Sequence, residues 1–223
     1  MSRAEKAGWP RKNMSPAKQD HDGTPVLSEE ELRACTIGEL QPLVGGIRIV
    51  DADPEWPNLF AREAERIRAA LGARALRIEH VGSTSVPQLP AKPVIDMLLL
   101  VEDSANEASY APALEGGGYV LRIREPVWYE HRMFKGPDTD VNLHVFSPRC
   151  TEVERMLLFR DWLRNNPIDR ELYAQTKMQL AREEWKYVQN YADAKTAVIR
   201  EILSRASSAC SGTALRLSQK PAG

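Results

Sequence analysis

The sequence predicts an α/β (α+β) fold, in which one sheet is flanked by helices and followed by a C-terminal helical bundle. Two apolar runs, near residues 78–81 and 94–101, and a stretch of alternating apolar and polar residues over 119–146 predict strands. From Thr151 onward the apolar residues recur at helical spacing, with Pro167 as the main breaker. The chain has 223 residues and 43% apolar composition, which is enough for one good core, so we expect one domain.

The first predicted elements are a tail and a capped helix. Residues 1–26 are rich in Lys, Pro, Asp and Gly without apolar periodicity, which predicts a disordered tail. Ser28 and Glu31 have the spacing of a capping box, in which each side chain satisfies a backbone N–H of the other. Thr36 and Glu39 repeat that spacing and predict a second helix start.

A strand, helix, strand order follows. Residues 47–50 predict a short strand, and the amphipathic helix after it ends at Gly72, a residue that readily takes the left-handed conformation of a helix end. The apolar face of this helix consists of Leu59, Ala61, Ala64, Ile67, Ala70 and Leu71. The two apolar runs then give two strands, of which the second is apolar enough to be buried on both faces.

The rest of the chain adds a helix, three strands and three more helices. The helix covers residues 104–114. The strands are predicted at residues 119–123, 130–135 and 140–146, and the later helices near residues 151–165, 169–188 and 191–204. Residues 206–223 are similar in composition to the first tail. We therefore expect a single domain over residues 27–205 between two disordered tails.

Composition excludes several classes of protein. With a net charge of −1 and a pI near 6.5, the chain lacks the excess of basic residues that is typical of a dedicated nucleic-acid-binding protein. Cys35, Cys150 and Cys210 show no CxxC spacing, which argues against a disulfide framework and against structural zinc. No apolar run reaches membrane-spanning length, and the N-terminal residues lack the apolar segment of a secretory signal. We expect a cytoplasmic protein without membrane partners.

A Gly-Ser-Thr-Ser turn separates the two apolar strands. Gly82 permits a tight turn, and Ser83, Thr84 and Ser85 offer hydroxyl and backbone N–H groups to an anion. Asp96 lies inside the second apolar run, where burying a carboxylate costs free energy unless something binds it. The turn alone would be an ordinary capped loop. Together with the acid, it predicts a phosphate-handling loop.

The longest motifs of the chain are IRIVDADPEWPNLF, HVGSTSVP, AKPVIDMLLLV, NLHVF and LLFRDWLR. Together they resemble the GrpB family over about residues 27–203, and the fold of that family is similar to the nucleotidyltransferase superfamily. The resemblance implies a nucleotidyltransferase-like mixed sheet, with a C-terminal helical bundle that covers the nucleotide base. It also implies that the Gly-Ser turn grips nucleotide phosphates and that carboxylates on two strands hold magnesium.

Applied to this chain, the resemblance matches Gly82, Ser83 and Asp96, so Asp96 is the implied ligand of Mg²⁺, and ATP or another NTP the implied cosubstrate. The second carboxylate is missing, because Leu98 stands at its position. The chain also departs from the family at Ala52, where an aromatic residue is usual, and at Gln88 and Pro90, where glycine and alanine are common.

Polar and apolar residues alternate in the last predicted strand. Asp140, Asn142 and His144 fall on one face of it, which is either a site or a solvated face. The implied fold puts this strand beside that of Asp96. Neither Asn142 nor His144 is the third carboxylate that the superfamily carries there, and His144 is the preferred catalytic partner of Asp96.

Two further histidines, His80 and His131, lie on strands predicted to meet at the turn. Imidazoles at a site can act as acid or base groups, and His80 is included as a catalytic candidate. A lone strand histidine is more often a hydrogen-bonded structural residue, which is the alternative for both. No histidine pair has zinc-site spacing.

Cations and tyrosines could complete a nucleotide site. Lys92, Arg132 and Lys135 are placed where the charge of a triphosphate could be met, or else are surface cations. Tyr/Lys pairs at i, i+4 spacing share a helix face in the C-terminal helices: Tyr173 with Lys177, and Tyr191 with Lys195. They predict a lid over the nucleotide. The alternative is that the tyrosines pack on the sheet while the lysines extend to solvent.

Three functions remain open from the sequence. The first is an enzyme that uses ATP or another NTP to transfer a nucleotidyl group to a small polar acceptor or to activate it, a transferase or an ATP-dependent ligase. The second is a degenerate nucleotidyltransferase fold that binds a nucleotide-like ligand or a partner, which Leu98 favours. The third is a metal-independent enzyme that moves protons with Asp96 and His144. The acceptor, the base of the nucleotide and the oligomeric state are not determined by the sequence.

Overall fold

The computed structural model describes residues 27–218, with side chains described to residue 209. Its centre is a five-stranded mixed sheet. The strands are β1 (Arg77–Val81), β2 (Ile95–Leu100), β3 (Val120–Glu125), β4 (His131–Lys135) and β5 (Val141–Phe146). Their order in the sheet is β1-β2-β5-β4-β3, and only the central pair β2 and β5 is parallel. The predicted α+β fold with a mixed sheet is confirmed.

Seven helices surround the sheet in the described part of the chain. They are α1 (Glu29–Cys35), α2 (Trp56–Leu71), α3 (Ala111–Gly116), α4 (Thr151–Asn165), α5 (Pro167–Leu180), α6 (Val188–Ala194) and α7 (Thr196–Ser218). Short 3-10 turns occur at Gly72–Arg74, Ser83–Ser85 and Glu107–Ser109. None of the helices in the described residues is long and apolar enough to cross a membrane.

The two faces of the sheet bury different helices because side chains alternate along each strand. Met97 and Leu143 are fully buried on the face that packs against Ile67 of α2. On the opposite face, Leu98 packs against Val153 of α4.

A third apolar cluster joins the loop after the Gly-Ser turn to the C-terminal bundle. Val86 and Leu89 of the loop are buried against Leu163 of α4, Tyr173 of α5 and Ile202 of α7. The loop is thereby held between the sheet and the helices.

Several elements predicted near the N-terminus differ from those in the structure. The capping box of Ser28 and Glu31 is present at the start of α1. The second helix start, predicted at Thr36, is wrong, because the Thr36 hydroxyl donates to the Leu32 carbonyl at the end of α1 and its backbone bridges to Ile123 of β3. The strand predicted at residues 47–50 is reduced to one bridge, between Val50 and Ala91. Ala61, predicted for the apolar face of α2, is exposed, whereas Trp56 and Glu63 are buried.

The helix predicted over residues 104–114 begins only at Ala111. The N–H groups of Ser104 and Ala105 are taken by the side chains of Ser147 and Asp103, and side-chain bonds of this kind compete with helix formation.

The C-terminal helices also have other bounds than predicted. The helix predicted over residues 169–188 ends at Leu180, where the Trp185 indole donates to the Leu180 carbonyl that a continuing helix would use. The last helix continues to Ser218, through most of the predicted tail 206–223, and Ala206 is fully buried. Residues 206–218 are thus helical in the structure, where a disordered tail was predicted. The tail at residues 1–26, with His21, lies outside the described residues.

Candidate functional site

The Gly-Ser turn lies directly against Asp96. The antiparallel register of β1 and β2 pairs Val81 with Asp96, so Gly82 follows beside the carboxylate. Gly82 has φ +68°, in the left-handed region. A Cβ built on Gly82 would stand 2.8 Å from Asp96 Cβ and 2.9 Å from its Cγ. Only glycine therefore fits the turn, both for its backbone conformation and for its distance from the acid.

Asp96 is joined to two residues of β5. The parallel register pairs Asp96 with Asn142 and Leu98 with His144, and paired residues share a face of the sheet. Asn142 Nδ2 donates to Asp96 Oδ1 at 2.8 Å, and His144 Nε2 lies 3.8 Å from the same oxygen. Burial raises the pKa of Asp96, but its contacts with His144 and Asn142 outweigh burial and hold the pKa below its ordinary value.

His144 makes a second polar contact through its other ring nitrogen. Its Nδ1 is 3.0 Å from Nε2 of His131, and Nδ1 of His131 is 2.7 Å from Oε2 of Glu125. Phe146 stacks on the His131 ring at 4.7 Å and Trp128 meets it edge-on. Burial lowers the pKa of His131, against the opposing effect of Glu125. A carboxylate, two imidazoles and a second carboxylate thus form one continuous row across the sheet.

Three lysines interact electrostatically with Asp96: Lys92, Lys177 and Lys195. Lys92 is half-buried, and burial lowers its pKa; Asp140 and Asp96 oppose this shift, whereas Lys135 and Lys195 add to it. Lys195 also acts electrostatically on Asp96 and on Lys177. Lys177 is 2% exposed, donates to the Pro90 carbonyl, and has a pKa that burial lowers to about 7. The site therefore holds several lysines around Asp96, whose side chain is 29% exposed, with Asp140 as a second acid bound to Lys135.

Two buried tyrosines close the site from the side of the helical bundle. Tyr173 shares a hydrogen bond with the Ser83 side chain, and burial raises its pKa to about 12. Tyr191 is 4% exposed, and its hydroxyl is the one buried side-chain N or O atom of the described residues without a hydrogen-bond partner. Lys177 and Lys195 lie over the rings of Tyr173 and Tyr191, at 4.8 and 4.6 Å. The Tyr/Lys pairs of the sequence are thus brought to the turn, although Lys177 is buried instead of extending to solvent.

Two predicted site residues lie on the wrong face of the sheet. His80 pairs with Met97, so it faces α2, where its ring stacks on Phe60 at 4.8 Å and bonds Thr84 Oγ1. Burial lowers its pKa to about 4. Arg132 pairs with Val145 and is bound to Glu107 on the face opposite Asp96. The catalytic prediction for His80 and the phosphate-binding prediction for Arg132 are both contradicted by this placement.

The three hydroxyl groups of the turn have different hydrogen-bond partners. Thr84 Oγ1 is buried between His80 and the Val94 carbonyl, and Ser85 Oγ donates to the Gly82 carbonyl. The hydroxyl groups of Thr84 and Ser85 therefore hold the shape of the turn, and anion binding by this part of the turn stays a prediction. Ser83 is half-buried beside Tyr173. Lys135 lies at the margin, bound to Asp140 and to Asn142 Oδ1.

The residues present do not fit a magnesium ion on their own. Among the described residues no three His, Cys, Asp or Glu side chains cluster as metal ligands. Leu98, at the position of the second carboxylate, is fully buried in the apolar cluster on α4. Asn142 turns its amide N–H toward Asp96, and its oxygen is bound by Lys135. Magnesium prefers several oxygen ligands, whereas this site offers one carboxylate among ammonium groups.

Two residues of the row were missed as site residues by sequence reasoning. The sequence leaves His131 either as an acid–base group or as a structural strand histidine, and Glu125 is not among the predicted site residues. The available signal was strand alternation: in a hairpin, His131, Met133 and Lys135 fall on the same face as His144. The side on which Glu125 lies depends on the pairing of β3 with β4, which includes a register shift near Ile123.

The structure places the three residues at which the chain departs from the family pattern named above. Gln88 has φ +63°, in the left-handed region, at a position where glycine is common in the family. Pro90 is the acceptor for Lys177. Ala52 is half-buried against the apolar cluster on α2.

Two of the comparisons with known proteins name the GrpB family. A family model described as GrpB protein matches residues 46–205, which include the whole site. The UPF0157 protein BH1888 of Halalkalibacterium halodurans is 58% identical over 193 residues, which cover 86% of this chain and 98% of that protein. The crystal structure of conserved protein GrpB from Enterococcus faecalis has a TM-score of 0.64 and 31% identity, covering 71% of this chain and 96% of that one. Cid1 poly(U) polymerase is a remote structural match, with a TM-score of 0.39 and 13% identity over 58% of this chain and 45% of that one.

Proposed function

The chain belongs to the GrpB family, and on that premise we propose that it binds ATP or another NTP at the Gly82–Ser83 turn and transfers a nucleotidyl group to a small polar acceptor, or activates it. Asp96 and His144 stand at the point of transfer. The lysines around Asp96 bind the phosphates.

The observation that carries this proposal is the set of three lysines that interact electrostatically with the partly exposed carboxylate of Asp96. A triphosphate brings several negative charges, and it needs positive charge where those charges change during transfer. Lys92, Lys177 and Lys195 reach Asp96 from a loop and the C-terminal bundle, and Lys135 binds the neighbouring Asn142. Burying a cation such as Lys177 is unfavourable in the free protein, and a bound anion would offset that cost.

The remaining contacts assign roles to the neighbouring groups. Ser83 and Tyr173 share a hydrogen bond that a phosphate oxygen can replace. The Tyr191 hydroxyl is buried without a partner, and a buried polar atom of that kind is stabilised by a ligand that bonds it. Asp96 and His144 lie together beside the turn, where they can take a proton from the acceptor.

Magnesium has no protein-built site in this scheme. The charge that magnesium supplies in other nucleotidyl transfers comes here from ammonium groups. Phosphate binding should therefore survive chelation of divalent ions.

The test is a thermal shift assay with ATP, inorganic pyrophosphate and adenosine, each with magnesium and with a chelator. ATP and pyrophosphate should raise the Tm in both conditions, and adenosine should have little effect. A ligand at 100 times its Kd stabilises the folded state by about 2.7 kcal/mol, which is readily measured. A shift that requires magnesium would contradict the assignment of phosphate charge to the lysines.

A matched pair of variants tests the site itself. Lys195→Met removes a cation beside Asp96, whereas Arg200→Met removes an exposed cation further along the chain. The first should weaken the shift with pyrophosphate and the second should not. Equal effects would mean that the anion is attracted by general charge and not by this site.

A metal-independent acid–base enzyme is the second candidate, and the contact between Asp96 and His144 favours it. That function predicts no Tm shift with any phosphate. A shift with ATP but no turnover with any acceptor would support the binding function that Leu98 suggests.

A further inference from the structure

The row of Asp96, His144, His131 and Glu125 contains three contacts between four ionisable groups. The distances are 3.8 Å from Asp96 Oδ1 to His144 Nε2, 3.0 Å between the two rings, and 2.7 Å from His131 Nδ1 to Glu125 Oε2. Each contact is a hydrogen bond only if one proton lies in it, because all six facing atoms are acceptors when unprotonated.

Two neutral imidazoles supply two protons for these three contacts. One contact must therefore be without a proton as long as both carboxylates are ionised. A carboxylate and a bare ring nitrogen repel at hydrogen-bond distance, and so do two bare ring nitrogens. The two contacts at 2.7 and 3.0 Å hold the protons, and the 3.8 Å contact at Asp96 is the empty one.

We propose that Glu125 and His131 are positioning residues that hold His144 with its proton on Nδ1, so that the bare Nε2 beside Asp96 is the general base of the site. Glu125 accepts from His131 Nδ1–H, and His131 Nε2 accepts from His144 Nδ1–H. The tautomer follows from the geometry alone, whereas its catalytic use rests on the proposed function. The position of the His144 proton is thus set by Glu125, which acts through His131.

The proposed step is balanced by the groups already named. The acceptor O–H bond breaks, its proton goes to His144 Nε2, and its electron pair stays on the acceptor oxygen. That oxygen bonds to the α-phosphorus as the bond from phosphorus to the leaving pyrophosphate breaks, and the electron pair of that bond leaves on pyrophosphate. The proton on Nε2 fills the third contact, toward Asp96, and can return to the leaving group.

The surroundings favour a single extra proton in the row. Phe146 and Trp128 pack on His131 and exclude water from it, while Arg132 acts electrostatically against a charge on that ring. Lys195 acts electrostatically on Asp96 and favours its ionised form. One added proton completes all three contacts, whereas a second would put two cationic rings 3.0 Å apart at their facing nitrogens.

The test is NMR of the ring nitrogens in the free, ¹⁵N-histidine-labelled full chain. At neutral pH the proton should be on Nδ1 in both His131 and His144. A His144 ring with its proton on Nε2 in the unchanged protein would overturn the proposal. Because no nucleotide is present, this result does not depend on the proposed nucleotide binding.

Two variants separate positioning from a structural role. Glu125→Met removes the acceptor for His131, so Asp96 should draw the proton of His144 to Nε2, and the His144 tautomer should switch. Glu130→Met removes an exposed carboxylate next to His131 in sequence and should leave it unchanged. An unchanged tautomer in Glu125→Met would show that Glu125 does not set it.

Discussion

Replacing Gly82 by alanine should strongly destabilise the fold, because two separate costs add at this position. The backbone angles φ +68° and ψ −172° are essentially restricted to glycine and cost an alanine about 1–2 kcal/mol. The added methyl would also stand 2.8 Å from Asp96 Cβ and 2.9 Å from Cγ, and overpacking of this kind costs roughly 1–3 kcal/mol. We expect a total loss of about 2–5 kcal/mol in the free energy of unfolding, measured by urea denaturation.

Gly72 provides the control for the backbone cost. It also lies in the left-handed region, with φ +56°, but a Cβ there would meet nothing within 4 Å. Gly72→Ala should therefore show only the conformational cost, about 1–2 kcal/mol. If Gly82→Ala costs no more than Gly72→Ala, the close approach of the turn to Asp96 is not as the structure has it.

A double-mutant cycle isolates the contact. In an Asp96→Gly background the methyl group that Gly82→Ala adds has no side chain to meet, so this substitution should cost about as much as Gly72→Ala. The difference between the two backgrounds should be about 1–3 kcal/mol. A coupling near zero would refute the reasoning.

Three further predictions follow from single residues. Gln88→Gly should be more stable than Gln88→Ala by about 1 kcal/mol, because only glycine relieves the left-handed φ; equal urea midpoints would contradict this. The pKa of Lys177 falls from 10.5 to about 7 on folding, so between these values the unfolded chain binds the proton that the folded chain lacks, and stability should rise with pH across that window. Lys177→Met should lose this rise in thermal melts, and a rise of equal size in the variant would rule out Lys177 as its source. Calorimetry with magnesium alone should give no binding, and tight binding would mean that Asp96 has ligand partners the structure does not show.

Local sequence determined most of the elements on which the site depends. Apolar runs and alternation gave the strands near Asp96 and His144, because the two-residue repeat of a strand is a local property. The alternation in β5 put Asn142 and His144 on one face, and the structure shows them there, beside Asp96. Gly82 was recognisable as a turn residue from its position between two apolar strands.

Only the tertiary structure decided which residues of neighbouring strands share that face. Consecutive strand residues lie on opposite faces of the sheet, so a shift of one residue in the strand pairing would reverse the face of each side chain. His131 and Arg132 therefore lie on opposite faces, as do His80 and Val81. The approach of Lys177 and Lys195 to Asp96 depends on how the C-terminal helices pack on the loop after the turn. Such contacts join residues far apart in sequence, so no local pattern encodes them. The row from Asp96 to Glu125 therefore exists only once β2, β5, β4 and β3 have paired in this order.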